Sequence, residues 1–410
     1  MKQDRQPGII IVGAGPAGCA CALMLAKKNI PVTILEKSTF PRDKICGDAL
    51  SPDVLNQLSL ISPELSKNFY AIENKTPIRG GTIITSEGQT LSIPIVNKHK
   101  QLEGFTCPRL VFDHFLFDAL NKNQNITVIQ NCQVNEVGRT NKGVTLKTSQ
   151  GEFEADMIIG ADGAQSVITR QVQPHKLDKK SYCAGLRVYY ENVSGFHENN
   201  YIELFFLKEI MPGYLWVFPM QGGKANVGIG VLSSHISNKK LNLKEILTRF
   251  LETHPLLKDR FKNAKPLETI KGFGLPLGSR KRRVSGDRYL LTGDAASLID
   301  PLSGEGIGNA IRSGRVAADH IAVCIEKNNY SAAFNKQYDD ELYRRMWHEL
   351  RISRRMQQIL QYPRFLEYFV KKANTNKRLH QFLIDILEDM DLKKRLLHPR
   401  FYWDLFFKNK

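Results

Sequence analysis

No Cys-x-x-Cys pair occurs in the 410 residues, and the seven cysteines (Cys19, Cys21, Cys46, Cys107, Cys132, Cys183 and Cys324) are scattered and odd in number. That excludes a legible disulfide framework or zinc site, predicts no metal, and fits a reducing compartment such as the cytoplasm. Acidic residues are in short supply. The chain sets 41 Asp and Glu against 58 Lys and Arg, a net charge of +17. This balance suits an anionic partner: a phosphate-bearing cofactor, nucleic acid or an acidic membrane surface. No nucleic-acid motif accompanies it. Long apolar runs are also wanting. Residues 8–26 carry no charge, but Gly8, Gly13, Gly15 and Gly18 interrupt them, and they read as strand, turn and helix instead of a signal or membrane segment. No internal repeat or low-complexity tract is found. What remains is ordinary globular material, 42% hydrophobic and 24% charged. That excludes a disordered or fibrous chain and predicts two or three domains.

Hydrophobic periodicity predicts a βαβ unit at once: strand 8–13, helix 16–28, strand 32–37. Alternating stretches at 82–85 and 90–95 read as antiparallel strands. A helix is predicted at 109–121, and strands at 126–129, 133–139, 144–148 and 157–160. Residues 184–232 are strand-rich (185–190, 201–206, 214–219, 225–231) and predict a sheet forming one wall of a cavity. A helix at 243–254, a strand at 288–292 and a long helix at 304–326 follow. After Ser331, a candidate N-cap, the chain reads as helical, with breaks near Pro363, residues 374–376 and Pro399.

Three motifs carry chemistry. Gly13-Ala14-Gly15-Pro16-Ala17-Gly18 follows a strand and opens a helix. Gly13 permits the tight turn, Gly15 lets backbone approach a pyrophosphate, and Gly18 lets helix and strand pack closely. The helix N-terminus offers free N–H groups and about half a positive charge. Glu36 closes the next strand at the spacing expected of a ribose acceptor. The second motif is Ile158-Ile159-Gly160-Ala161-Asp162-Gly163, then Ser166; alone, Asp162 reads equally well as a helix cap. The third is Thr292-Gly293-Asp294, continuing through Pro301 to Gly304-Glu305-Gly306-Ile307-Gly308. There a strand delivers Asp294 to a loop whose glycines expose backbone donors at a new helix start.

Together, in this order, the three motifs resemble FAD-dependent enzymes of the glutathione-reductase-like type, which include aromatic hydroxylases, flavin halogenases and geranylgeranyl reductases. The resemblance spans residues 8–319. It implies an α/β fold. A Rossmann-like FAD-binding domain (residues 1–75, 106–175 and 285–330) would carry an inserted antiparallel-sheet substrate domain (76–105 and 176–284). A helical C-terminal region (331–410) completes it. The loop 13–18, with Pro16 and Ala17, and Glu36 and Lys37 would hold the adenosine half of FAD. Arg42, Arg109, Asp162 with Gly163, and Gly293 with Asp294 would serve the pyrophosphate and ribityl chain. Pro301, Gly304, Gly306 and Ile307 would meet the isoalloxazine.

Two further segments narrow the resemblance to geranylgeranyl reductases: Arg42-Asp43-Lys44-Ile45-Cys46-Gly47-Asp48 and Gly213-Tyr214-Leu215-Trp216-Val217-Phe218-Pro219. In the second, Tyr214, Trp216 and Phe218 alternate onto one face and, with Pro219, are expected to line an apolar cavity for an isoprenoid tail. The halogenase counterpart, Gly-Trp-x-Trp-x-Ile-Pro, differs where Tyr214 and Phe218 stand. Cys46 reads either as a small buried hydrophobe or as a proton donor facing the flavin. The expected reaction reduces a carbon–carbon double bond of an isoprenoid lipid, with Cys46 as acid and Tyr214 and Trp216 stabilising positive charge.

The alternatives are a flavin monooxygenase or halogenase on a hydrophobic substrate, and a non-catalytic prenyl-lipid carrier. Residues 272–278 resemble a second dinucleotide loop, but Pro276 and the basic run that follows argue against it. NADPH or a protein donor would therefore reach the flavin transiently. Between Lys336 and Lys410, 17 Lys and Arg stand against 10 Asp and Glu. Phe365, Tyr368, Phe369, Phe401, Tyr402, Trp403, Phe406 and Phe407 lie among them; the mix reads either as peripheral contact with an acidic membrane, or as a solvated helical face whose aromatics pack as core.

Overall fold

The computed structural model describes residues 8–95, 103–140, 143–174 and 176–388. Its first sheet has six strands in the order Ser285–Gly286, Tyr289–Leu291, Met157–Gly160, Ile9–Val12, Val32–Leu35, Ile126–Ile129. The last five are parallel and only the outer pair is antiparallel. Ile9–Val12 and Met157–Gly160 are buried at every position, as the uninterrupted apolar run of a covered parallel strand requires. Helix Pro16–Lys27 packs against helix Ile307–Glu326. Glycine sets how close they come. A Cβ on Gly314 would stand 2.2 Å from the Ala17 carbonyl oxygen, and one on Gly18 only 2.0 Å from that of Gly13.

A second sheet of eight strands lies beyond the first. Lys271–Pro276, Tyr182–Glu191, Lys224–Leu232, Tyr214–Met220 and Ile202–Phe205 pair antiparallel in succession. Residues 272–278 thus contribute a sheet strand, not a second dinucleotide loop. One junction is parallel: Ile202–Phe205 pairs with Gly80–Ile84, which in turn pairs antiparallel with Thr90–Pro94. Two strands so distant in the chain are free of the hairpin constraint that imposes antiparallel pairing.

The two faces of this sheet have different covers. Leu215, Val217, Val227 and Ile229 pack on Leu243, Leu247 and Leu251 of helix Leu243–Thr253. On the other face Ile83, Leu204 and Tyr214 pack on Leu366, Val370, Ala373 and Leu379. Those four belong to helices Pro363–Thr375 and Lys377–Glu388. The described part of the basic tail is therefore a layer of the fold. Its aromatics divide accordingly: Phe369 joins that cluster, whereas Tyr368 is 51% exposed. Phe401, Tyr402, Trp403, Phe406 and Phe407 lie outside the described residues.

Helices Pro52–Ile61 and Pro63–Tyr70 were not expected from the pattern. The first lies against helix Ile307–Glu326, where Arg312 pairs with Asp53 at 2.9 Å and Arg315 donates to Gln57 at 2.6 Å. Ser331 caps helix Ala332–Ile359, accepting from the Phe334 N–H. Among the described residues no helix is long and apolar enough to cross a membrane.

Candidate functional site

Gly13 has φ +102, and a Cβ there would fall 2.6 Å from the Ala161 carbonyl oxygen. Only glycine makes this turn from strand into helix. Gly15 differs in kind. A Cβ built on it meets only Arg42 Nη2, at 3.8 Å, so the chain's own packing leaves room there. The first turn of helix Pro16–Lys27 has no side-chain cap, and its N–H groups open onto that room. Glu36, 3% exposed, accepts from the Ala14 N–H at 2.8 Å and the Ser38 N–H at 2.9 Å, with Arg42 Nε at 3.8 Å. Lys37 is exposed at the same strand end.

Arg42 and Arg109 share one carboxylate. Arg109 forks onto Asp113 at 2.6 and 2.8 Å, and Arg42 reaches the same group at 2.8 Å. Arg109 occupies the first position of helix Arg109–Asn121, where a lone cation would oppose the helix dipole; Asp113, one turn on, compensates it. Burial works against the Arg109 charge, but Asp113 and the neighbouring Cys46 hold it above the ordinary guanidinium value.

The two aspartates of the later motifs have different surroundings. Both Asp162 oxygens are engaged, by Ser166 Oγ (2.5 Å) and by the Val167 and Ile168 N–H groups (2.7 and 3.2 Å), so its carboxylate caps helix Val167–Val172. Beside it Gly163, at φ +78, has open space where a Cβ would stand. The half-buried Asp294 carboxylate receives no hydrogen bond among the described residues. It faces Gly306, whose Cβ would lie 3.4 Å from Oδ1, and Lys44, whose charge it supports. Gly293 (φ +57) packs on Ala17 and Ala310. Pro301 is buried, and its carbonyl accepts from Gln357. Gly304, at φ +71, lies under the Tyr214 hydroxyl, which donates to the Ser303 carbonyl. Ile307 is buried at the start of the long helix.

The two narrowing segments meet. A Cβ on Gly47 would fall 3.1 Å from Phe218 Cε2 and 3.6 Å from Trp216 Nε1, so the backbone carrying Cys46 lies on the aromatic face of strand Tyr214–Met220. The Tyr214–Trp216 and Trp216–Phe218 ring centroids are 6.2 and 6.1 Å apart. The Trp216 indole covers Gly228, where a Cβ would come within 2.2 Å of the ring. Pro219 is out of phase with the three aromatics and falls on the opposite face, with Leu215 and Val217. Burial, with Cys183, Asp300 and Cys46 nearby, pushes the Tyr214 phenol above its ordinary value, so it is neutral at working pH.

Sequence reasoning missed several neighbours. Lys44 Nζ sits 3.5 Å above the Phe273 ring, and burial lowers its ammonium below the usual lysine value although Asp294 pulls it back. Arg187, 1% exposed, pairs with Asp43 (2.8 Å) and Glu268 and stacks over Tyr189 at 4.0 Å. Asp48 and Asn226 are fully buried between Cys46 and Trp216. Lys44 and Asp48 flank Cys46 in its own segment, whereas Arg187 and Asn226 come from distant strands that no local spacing links to it.

Comparison with known proteins follows the same lines. Residues 182–273 match the model of the geranylgeranyl reductase catalytic domain, and residues 11–58 that of an NAD(P)-binding Rossmann-like domain. The chain is 31% identical over 342 residues to a digeranylgeranylglycerophospholipid reductase of Methanopyrus kandleri, covering 81% of each. The chain belongs to the geranylgeranyl reductase family. Members of this family are FAD-dependent oxidoreductases. A menaquinone reductase of Mycobacterium tuberculosis is 26% identical over 388 residues, covering 89% of this chain and 87% of that one. The solved structure of a geranylgeranyl bacteriochlorophyll reductase-like protein from Thermoplasma acidophilum superposes with a TM-score of 0.79 at 24% identity, over 97% of this chain and 98% of that one, and so shares the fold.

The residues present fit FAD. The room at Gly15, the uncapped helix start, the open space at Gly163 and the Asp294 carboxylate, which accepts no hydrogen bond among the described residues, leave donors, charge and space that a dinucleotide could take. Replacing Gly15 by Val should lower FAD affinity at least 100-fold while leaving the urea midpoint of the apoprotein unchanged, because the new side chain meets ligand space and not protein. Gly314→Val should do the reverse. It forces two helices apart and should cost about 1–3 kcal/mol of stability. Flavin absorbance after gel filtration and urea titration measure the two effects, and equal destabilisation by both variants would contradict this reading of Gly15.

Proposed function

We propose that this protein reduces carbon–carbon double bonds of an isoprenoid lipid. The observation that carries the reading is the seating of Gly47 on Phe218 and Trp216, which brings the Cys46 backbone to an apolar aromatic wall beside the flavin motifs. In this reading residues 1–75, 106–175 and 285–330 hold FAD. Residues 76–105 and 176–284 form the substrate domain, and of the C-terminal region 331–410 the described helices Pro363–Thr375 and Lys377–Glu388 cover one of its faces. FAD, when bound, supplies the hydride. The chain supplies the rest. Loop 13–18 with Glu36, Arg42 and Arg109 would hold the dinucleotide, and the peptide N–H groups of Gly306 and Ile307 would be offered to its ring, that of Gly304 being taken by the Asp300 carbonyl at 3.0 Å. Tyr214, Trp216 and Phe218 receive the polyprenyl tail and exclude water.

An unactivated alkene accepts hydride poorly, so a proton must reach one carbon as the other is reduced. The Cys46 thiol holds that proton. Arg109 provides a fixed positive charge beside the thiolate left behind. The Tyr214 and Trp216 rings face positive charge on carbon with their electron-rich planes. The external electron donor is NADPH or a protein. The names of the Methanopyrus and Mycobacterium relatives support a substrate with a prenyl tail and leave its head group open. Anaerobic reoxidation of the reduced holoprotein by a polyprenyl glycerophospholipid tests the reading. Cys46→Ser should slow that reoxidation at least tenfold at full FAD occupancy. Reoxidation only after oxygen is admitted would favour a monooxygenase and overturn the proposal.

The substrate has to be collected from a bilayer, and helix Pro363–Thr375 supports a peripheral contact at the cytoplasmic face. Its acid, Glu367, is consumed by Thr85 Oγ1 (2.5 Å) and the Glu87 N–H (3.1 Å). Arg364, Tyr368 and Lys371 remain exposed on one side, opposite the buried Leu366 and Val370. Anionic vesicles should sediment the protein at low salt and release it near 1 M salt, where the Debye length falls to about 3 Å. The pair Arg364→Glu and Lys371→Glu should weaken this binding. Equal recovery in the supernatant with anionic and neutral vesicles at low salt would rule the contact out.

A further inference from the structure

Two groups of the pocket converge on one buried amide. Asn226 Oδ1 accepts the Trp216 indole N–H at 2.9 Å, while Nδ2 donates to the Cys46 carbonyl at 2.8 Å and to Asp48 Oδ2 at 2.9 Å. The Tyr189 hydroxyl donates to the same Asp48 oxygen at 2.5 Å. Both hydrogens of the amide nitrogen are used, and a flipped amide would set a donor against the indole N–H. The indole of Trp216 and the peptide of Cys46 are thus tied to one another by a single side chain, and the carboxylate fixes which way that side chain points.

We infer that Asp48 is a positioning residue of this site, holding the Trp216 ring and the Cys46 peptide in fixed relation through the Asn226 amide. The inference rests on the assignment of Cys46 and Trp216 to the reacting pocket. The backbone alone does not account for an acid at this position. Asp48 has φ +63, a conformation that glycine adopts without strain. Burying a carboxylate is unfavourable unless it is bonded, and this one is 0% exposed with Oδ1 accepting no hydrogen bond among the described residues. What the carboxylate does gain is its two bonds at Oδ2, one from Tyr189 and one from the Asn226 amide that holds the Trp216 indole.

The same burial makes the arrangement sensitive to pH. The groups facing Asp48 are Tyr189 and Arg187 from strand Tyr182–Glu191, Asn226 from strand Lys224–Leu232, and Cys107 and Arg109 from the start of helix Arg109–Asn121. Burial pushes the Asp48 carboxyl up to about 6, against the pull of the Tyr189 and Asn226 donors and of both arginines. Its folded value lies above the roughly 3.9 of an unfolded chain. The stability it contributes is therefore full below that value and lost as pH rises through about 6. Protonation at Oδ1 leaves Oδ2 free to accept from both donors but removes a charge next to the Asn226 amide.

The test uses the FAD-loaded protein labelled with 15N-tryptophan. The chain has three tryptophans, and Trp216→Phe assigns the indole N–H signal of interest. That signal should move with a midpoint near pH 6 in the natural protein and stay fixed in Asp48→Asn, which tolerates the left-handed backbone. Asp48→Gly relieves the backbone and deletes the anchor. It should displace the Trp216 signal and slow anaerobic reoxidation by a prenyl lipid at least tenfold at full FAD occupancy, and Asp48→Asn should recover most of that loss. A Trp216 signal unmoved by Asp48→Gly, or a glycine variant as fast as the natural protein, would overturn the inference. If the natural protein reduces no prenyl lipid while Trp216 titrates and shifts as described, the positioning role stands and the functional reading fails.

Discussion

The contact of Gly47 with the Phe218 ring organises the site. Backbone at that point lies flat on an aromatic surface, and a Cβ would come within 3.1 Å of the ring. Glycine here joins two parts of the fold that share no strand pairing of their own. One is the loop leaving the second Rossmann strand, which carries Arg42, Lys44 and Cys46. The other is the central strand of the large sheet. One segment thus reaches both groups of residues, with Arg42 beside Gly15 at one end and Gly47 on the aromatic face at the other.

Electrostatics fasten the same segment on both sides. Asp113 draws Arg42 and Arg109 toward loop 13–18, and Arg187 draws Asp43 toward the eight-stranded sheet. The pairs on the fully buried Asp113 add little net stability when compared with apolar packing, yet removing that carboxylate costs about 3–5 kcal/mol because it strands buried charge. They therefore act as registration devices for the loop. Much of the positive surplus of the chain lies elsewhere, on exposed helix faces such as that of Arg364 and Lys371.

What could be read in the sequence was what repeats locally. The glycine spacing at 13–18, the alternation at 214–218 and the apolar periodicity of helix Ile307–Glu326 each follow from a few adjacent residues. Helices Pro52–Ile61 and Pro63–Tyr70 are short and not marked by the apolar pattern, although Ser51-Pro52-Asp53 and Ser62-Pro63-Glu64 carry the start signals: a cap residue, proline at the first turn and an acid after it. The residue type of Asp162 alone does not separate a cofactor ligand, which the resemblance implies, from a helix cap, and in the fold its oxygens accept from Ser166 and from the first N–H groups of helix Val167–Val172. Pro219 was grouped with the aromatics by adjacency, and the pleat places it behind them. Tyr189, Arg187 and Asn226 join Lys44 and Asp48 only through pairing of strands far apart in the chain, which no local spacing encodes.

The central claim is that this pocket adds hydrogen across an isolated double bond, with the proton coming from the chain. Mass spectrometry of a polyprenyl glycerophospholipid, incubated without oxygen with stoichiometric reduced holoprotein, addresses it most directly. The account predicts product carrying two additional hydrogen atoms per turnover, formed in the natural protein and strongly diminished in Cys46→Ser. A lipid recovered unchanged without oxygen, and recovered with one added oxygen atom once air is admitted, would contradict it.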